Sequence, residues 1–136
     1  MGQSLTAMNT YRATSFATRQ DLRSYIQCRD AGNTADHCTS TPGGGDNGEG
    51  AWGDPTWRTD KAYCAVHHSI AVHGKKMRVQ LRDSITGEPL GVPFICAVGD
   101  KGNEGILDLN PGSLRAAGLD PDTELDALAD WEWLES

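Results

Sequence analysis

The stretch that decides the fold runs Ala97-Val-Gly-Asp-Lys-Gly-Asn-Glu-Gly-Ile-Leu-Asp-Leu-Asn-Pro-Gly-Ser-Leu-Arg-Ala-Ala-Gly-Leu119. An apolar segment ends at Asp100, a glycine-containing turn follows, and a second apolar segment surrounds Asp108. Asn110 can then cap a short helix, because its side-chain oxygen accepts hydrogen bonds from the free amides of the first helical turn. Proline follows at the first helical position and Gly118 stands just past the end. This order predicts a strand, a turn and a helix from Pro111 to Ala117.

Other segments predict further β-structure. Residues 76–82 alternate strictly between polar and apolar side chains, which indicates a half-buried strand. Thr86-Gly87 supplies a turn, and the apolar run 92–98 predicts the next strand, with its proline at an edge or strand start. The tail 128–134 carries two tryptophans on one face of an extended chain and is expected to be a closing strand.

The N-terminal part of the chain has a different pattern. Thr18 and Asp21 predict the start of a helix, and Gly32 offers its end. Residues 31–53 consist almost entirely of turn formers and predict a long loop. We interpret residues 1–45 as a helix and loop extension that packs on the main body.

Length and charge exclude several classes of protein. At 136 residues the chain fits one domain. Its formal charge is −7, and residues 100–136 hold ten of the nineteen acidic side chains but two of the twelve basic ones. Because nucleic-acid binding relies on cations placed against phosphates, we expect no nucleic-acid partner. No apolar run reaches the roughly 18 residues of a membrane span, and residues 1–17 lack the apolar segment of a signal peptide.

The four cysteines allow three disulfide pairings. We favour Cys28–Cys38, which closes a short loop, together with Cys64–Cys96, which would join two β-segments. Four reduced thiols in a cytosolic protein are the first alternative. A zinc site built from cysteines and histidines is the second, although no CxxC or HxxxH spacing organises it.

The segment around the two aspartates resembles the double-psi β-barrel family, which includes the rare lipoprotein A-like glycosidases, MltA-type lytic transglycosylases, expansins and family 45 endoglucanases. In that family a strand ends in Asp, a glycine-containing loop follows, and a second Asp opens a hydrophobic-Asp-Leu-Ser/Asn-Pro element before a short helix. Asp100 and Asp108 match these two positions. Upstream, Cys64-Ala-Val-His-His and the segment 73–79 are similar to the family's strand of alternating valines. The resemblance covers about residues 62–134.

Two departures leave the substrate open. Lys101-Gly102-Asn103 stands where rare lipoprotein A-like members have Arg-Gly-Pro, and Ile106-Leu107-Asp108 stands where expansins have His-Phe-Asp. For the fold, the resemblance implies a mainly β protein with short helices, forming one domain over residues 1–136. A six-stranded double-psi barrel would occupy residues 46–136, with the N-terminal helix added to it.

For the chemistry, the resemblance implies glycan cleavage without a cofactor. Asp100 would be the general acid/base and Asp108 its partner, while Asp54 offers an opposing carboxylate brought across by the glycine-rich loop. Breaking an acetal requires a proton delivered to the leaving oxygen, which a carboxylic acid held protonated can provide. The residues expected to bind substrate are Trp52, Trp57, Tyr63, His67 and Asn103, the first three through flat faces that stack on sugars.

The favoured function is therefore a cell-wall glycan-cleaving enzyme, a peptidoglycan lytic transglycosylase or a muramidase-like hydrolase. One alternative is a non-catalytic module that binds glycan or a protein partner, in which Asp100 and Asp108 only stabilise turns. Another is a toxin domain delivered by a secretion system or a phage. Disulfides without a signal peptide suggest a periplasmic or secreted location reached by another route, with a cytoplasmic location as the alternative.

Overall fold

The computed structural model describes residues 9–40 and 45–134. Within these ranges it is mainly β, with six strands and three short helices. The elements in chain order are β1 (Asn9–Ser15), α1 (Arg19–Asp30), α2 (Ala35–Ser40), β2 (Tyr63–His67), β3 (Lys76–Arg82), β4 (Pro89–Gly102), β5 (Ile106–Leu109), α3 (Pro111–Ala116) and β6 (Asp126–Trp133).

The strands close into a barrel in the order β1-β5-β2-β4-β3-β6, with β6 pairing back onto β1. The pairs β1–β5 and β2–β4 are parallel and the other neighbours are antiparallel. Alternate side chains of every strand point inward, and they form one apolar core that includes Trp131, Met77 and Leu107. No helix among the described residues is long and apolar enough to cross a membrane.

The barrel starts earlier in the chain than the sequence analysis placed it. β1 lies within the segment interpreted as an extension, and it pairs with β5 on one side and β6 on the other. Its sequence is Asn-Thr-Tyr-Arg-Ala-Thr-Ser, and only Ala13 is fully buried. The strand therefore lacks the apolar alternation that identifies β3. As a result, α1 is inserted between two barrel strands and is not added in front of the barrel.

The start of α1 follows the sequence pattern. Thr18 caps the helix by accepting a hydrogen bond from the Asp21 amide, and the Asp21 side chain accepts one from the Thr18 amide. Beyond the end of α1, the predicted loop contains the unexpected helix α2, and the disulfide Cys28–Cys38 joins the two helices. Residues 41–44 of the predicted loop lie outside the described residues.

The other predicted elements are present with small shifts. β3 has the predicted bounds, β4 extends beyond the predicted run at both ends, and α3 ends at Ala116 with Asn110 as its cap. The expected second disulfide is absent: Cys64 and Cys96 are free thiols buried in the barrel core. A hydrogen bond with the neighbouring Cys96 thiol and burial in the core raise the pKa of Cys64 well above its usual value. A free cysteine behaves as a small apolar side chain, which suits this position in the core.

Candidate functional site

A row of four residues crosses four neighbouring strands and brings two aspartates to the same face of the barrel. Thr14 pairs with Asp108, Asp108 pairs with Ala65, and Ala65 pairs with Asp100. Side chains of paired residues point to the same side of a sheet. Ala65 packs with Phe16 and Ala17 in a small apolar cluster separate from the barrel core. The row, which we call the carboxylate row, therefore lies on the outside of the barrel.

A bulge at Gly99 gives Asp100 this orientation. Cys64 pairs with Val98, but the next residue, Ala65, pairs with Asp100, so Gly99 is the extra residue of β4. In a regular strand Asp100 would share the inward side of Val98, because side chains alternate. One extra residue reverses that alternation. The bulge thus turns the carboxylate out of the core.

A loop of residues 45–54, the glycine loop, is attached to Asp100. The amides of Ala51 and Lys101 both donate to Oδ1 of Asp100, at 2.9 and 2.8 Å. At residue 50 the loop backbone approaches β4 so closely that a Cβ on Gly50 would lie 1.7 Å from the Gly99 carbonyl oxygen. Only glycine allows this approach.

The glycine loop brings a third carboxylate, Asp46, which the sequence analysis did not single out. Gly45 lies against the backbone of α1, where a Cβ would be 2.3 Å from the carbonyl oxygen of Asp21. The Asp46 Oδ1 accepts a hydrogen bond of 2.6 Å from the Gly48 amide. The negative charges of Asp100, Asp21 and Asp108 all act on the Asp46 carboxyl. Its only sequence signal is Asp46-Asn-Gly48, a common turn pattern.

Burial changes the protonation of these carboxyls. It raises the pKa of Asp108 to about 6, with a smaller contribution from the charges of Asp21 and Asp100, while the hydrogen bond from Thr14 lowers it. Burial also raises the pKa of Asp46 to about 6. The hydrogen bond from the Gly48 amide lowers this pKa, and the charges of the neighbouring carboxylates raise it. The pKa of Asp100 is raised by burial, and its two amide bonds oppose that rise. Carboxyls with different environments in one site can divide acid and base roles.

Asp54 lies in a different set of contacts from the one expected. Its Oδ2 is 2.6 Å from Nε2 of His73, and the His73 ring stacks on Trp52 with ring centroids 4.7 Å apart. The Lys101 ammonium is 5.3 Å from the centre of the Trp52 ring. Asp54 therefore contacts His73 at the base of the glycine loop, and Asp46 is the loop carboxyl on which the charges of Asp100 and Asp108 act.

The remaining predicted substrate residues lie at separate positions in the chain and make different contacts. Tyr63 packs its ring against Gly99. His67 is two residues beyond Ala65 on the same face of β2, and its Nδ1 lies 2.7 Å from the Ser69 hydroxyl. Asn103 is exposed in the turn between β4 and β5. Trp57 is 53% exposed and borders Gly48.

Among residues 9–40 and 45–134, no three or more His, Cys, Asp or Glu side chains are grouped so that they could hold a metal ion. The chain matches no model of a known protein family, and it matches no curated protein. The groups of the site are two aspartates on strands, Asp100 and Asp108, the loop residue Asp46, and Trp52 near Lys101.

Proposed function

We propose that this chain is a double-psi β-barrel enzyme that cleaves the glycan strands of bacterial peptidoglycan. The observation that carries the proposal is the carboxylate row, because it places the two aspartates of the sequence motif on one face of a closed six-stranded barrel. Two parallel strand pairs in an otherwise antiparallel barrel require crossing connections, which supports the finer topology.

Asp108 is the better general acid of the two. A general acid must be protonated before it donates, and a pKa of about 6 keeps part of the Asp108 population protonated near neutral pH. Asp100 accepts two backbone amides on one oxygen, and such bonds stabilise the ionised carboxylate. Asp100 is therefore the base or the charge stabiliser, which exchanges the roles that the sequence pattern alone assigned.

The presence of two aspartates on one face favours direct hydrolysis. β2 lies between β4 and β5, so Asp100 and Asp108 are two strands apart and leave space between them. Enzymes that invert the sugar use two carboxyls and admit a water molecule between them. A lytic transglycosylase needs one catalytic acid, since the 6-hydroxyl of the sugar attacks. A muramidase-like hydrolase would therefore use both aspartates of the site, whereas a lytic transglycosylase would use one.

A non-catalytic binding module is the second candidate. The observation that favours it is that Asp100 Oδ1 bonds two backbone amides and Asp108 bonds Thr14, which are contacts that also stabilise a loop. In either function, the disulfide Cys28–Cys38 supports a periplasmic or secreted location, because disulfides persist in oxidising compartments.

The deciding experiment incubates purified peptidoglycan with the wild-type chain, Asp108→Asn, Asp100→Asn and the control Glu88→Gln. Glu88 is an exposed residue of the turn between β3 and β4, so its variant should retain activity. Soluble products are measured by mass spectrometry. We expect the wild type to release products one water heavier than an anhydro-sugar. Asp108→Asn and Asp100→Asn should release none of these products.

Products of the anhydro mass would identify a lytic transglycosylase. Folded wild-type protein that releases nothing, or variants at Asp100 and Asp108 that remain fully active, would overturn the enzymatic proposal in favour of the binding module.

A further inference from the structure

A cavity of about 400 Å³ lies among the start of α1, the segment that holds Trp57, and the turn at residues 120–122. Trp57 forms one wall, and Leu22 and Pro121 add apolar surface. Arg19 and Asp122 stand at its polar side. The volume falls within the range of small-molecule sites, which combine mostly apolar walls with a few placed polar groups. We call it the Trp57 cavity.

The walls of this cavity match one chemical class, a pyranose ring. The C–H groups of a pyranose form an apolar face, and its hydroxyls lie around the edge. The exposed indole of Trp57 offers a flat surface for that face. Arg19 supplies donors and Asp122 supplies acceptors for the hydroxyls. Nε of Arg19 lies 3.7 Å from Oδ2 of Asp122, and the side chains are 77% exposed for Arg19 and 45% exposed for Asp122. Asp122 Oδ1 accepts a hydrogen bond from the Arg19 backbone amide. Because the exposed ion pair at its Oδ2 contributes little to stability, this oxygen and the Arg19 guanidinium are available to a ligand.

Trp57 is freer than Trp52 to take a sugar. One face of the Trp52 ring is already stacked on His73, and the Lys101 ammonium lies close to the same indole. Trp57 is also the more exposed of the two, at 53% against 38%.

The Trp57 cavity is joined to the loop carboxylate Asp46 through Gly48. A Cβ at residue 48 would lie 3.0 Å from both Leu22 and Trp57, so these two side chains enclose the glycine. The amide of the same residue donates to Asp46. One loop residue therefore contacts both the cavity wall and the loop carboxylate, and α1 contributes Arg19 and Leu22 to the cavity.

We infer that the Trp57 cavity is a sugar-binding subsite for an amino-sugar polysaccharide, separate from the point of cleavage. The inference rests on the proposed function for the identity of the polymer. A chain that passes the carboxylate row would place a further ring on Trp57, with its hydroxyls at Arg19 and Asp122.

The test uses the full chain carrying Asp108→Asn, so that the ligand is not cut, and the hexamer of N-acetylglucosamine as the probe. Binding is measured by titration calorimetry in this parent and after adding Trp57→Ala, Trp57→Phe or Asp122→Asn. The matched control is Ile85→Ala, which truncates an exposed apolar side chain in the turn between β3 and β4. We expect Trp57→Ala to weaken binding at least about fivefold, the loss of one aromatic contact. Trp57→Phe should restore most of the affinity, Asp122→Asn should weaken it by about threefold, and Ile85→Ala should not change it.

Affinity unchanged by Trp57→Ala, or a parent that does not bind the hexamer at millimolar concentration, would overturn the subsite. The outcome is distinguishable from that of the proposed function. Binding that depends on Trp57 in a wild-type chain that never cleaves peptidoglycan would retain the subsite and reject the enzyme. Peptidoglycan cleavage by the wild type, together with hexamer binding that Trp57→Ala does not change, would retain the enzyme and reject the subsite.

Discussion

Thr14 donates a hydrogen bond from Oγ1 to Oδ1 of Asp108, at 2.7 Å, across the parallel strands β1 and β5. The bond stabilises the ionised carboxylate and so opposes the burial that raises the pKa of Asp108. The hydroxyl therefore both orients the proposed general acid and limits how strongly it holds its proton.

Replacing Thr14 with Val removes this donor with little change in shape. The pKa of Asp108 should rise above about 6, and the variant should keep the acid protonated to a higher pH. Since a general acid loses activity as pH rises through its pKa, the basic limb of the pH profile of kcat/KM should move up by about one pH unit.

The matched control for that variant is Thr10→Val. Thr10 lies in the same strand and donates a hydrogen bond of the same 2.7 Å length, but its acceptor is Asp130, outside the carboxylate row. Its pH profile should match that of the wild type. A basic limb that stays in place in folded Thr14→Val would show that Asp108 is not the acid.

The raised pKa of Asp108 also predicts how stability depends on pH. The folded state holds its proton up to about pH 6, whereas the unfolded carboxyl releases it near pH 3.9. Between these values the folded state binds more protons, so the contribution of Asp108 to the free energy of unfolding falls as pH rises and is constant above about 6.

Asp108→Asn removes that dependence and leaves an oxygen that can accept from Thr14. The variant should be more stable than the wild type at pH 7 by about 1–2 kcal/mol, after allowing for partial solvent screening, and nearly equal at pH 4. Urea unfolding of both proteins at the two pH values measures the difference. A gap that is larger at pH 4 than at pH 7 would contradict the raised pKa.

The sequence is informative wherever one face of an element is buried and the other is exposed. Met77, Val79 and Leu81 alternate with polar residues in β3 and are completely buried, so the strand and its bounds could be predicted. Asn110 predicted the start of α3 because a capping side chain acts on amides only three residues away. These signals are local.

The site depends on relationships that are not local. β1 belongs to the barrel through its pairing with β5 and β6, and its own residues are mostly polar. The charges of the carboxylate row act on Asp46 because the glycine loop packs against α1 at one end and β4 at the other. The Asp100 side chain points outward because Gly99 is an extra, bulged residue in β4. Regular alternation along the sequence would instead predict that this side chain points inward.

Gly50→Ala tests whether the glycine loop must lie against β4. The added methyl would collide with the Gly99 carbonyl, which is backbone and cannot rotate away. We expect a loss of about 1–3 kcal/mol in the free energy of unfolding, which is the usual cost of overpacking. Peptidoglycan cleavage should also fall, because the hydrogen bond from the Ala51 amide to Asp100 is lost.

The control is Gly102→Ala in β4, where a Cβ would make an ordinary 3.4 Å contact with Ala65. Equal stability and activity of the two variants would show that the loop can move away at no cost.

The cysteines give a prediction that is independent of the enzymatic proposal. In the folded protein Cys28 and Cys38 are joined, while Cys64 and Cys96 are free and have no exposed surface. Iodoacetamide should label no cysteine under native conditions and two after unfolding without reductant, as counted by mass spectrometry, because the core thiols are fully buried in the folded protein. Replacing both Cys28 and Cys38 with Ser should lower the free energy of unfolding by about 3 kcal/mol, since the bond closes a short loop. If unfolding without reductant exposes no thiol, Cys64 and Cys96 are joined after all, and the interior of the barrel holds a second cross-link between β2 and β4.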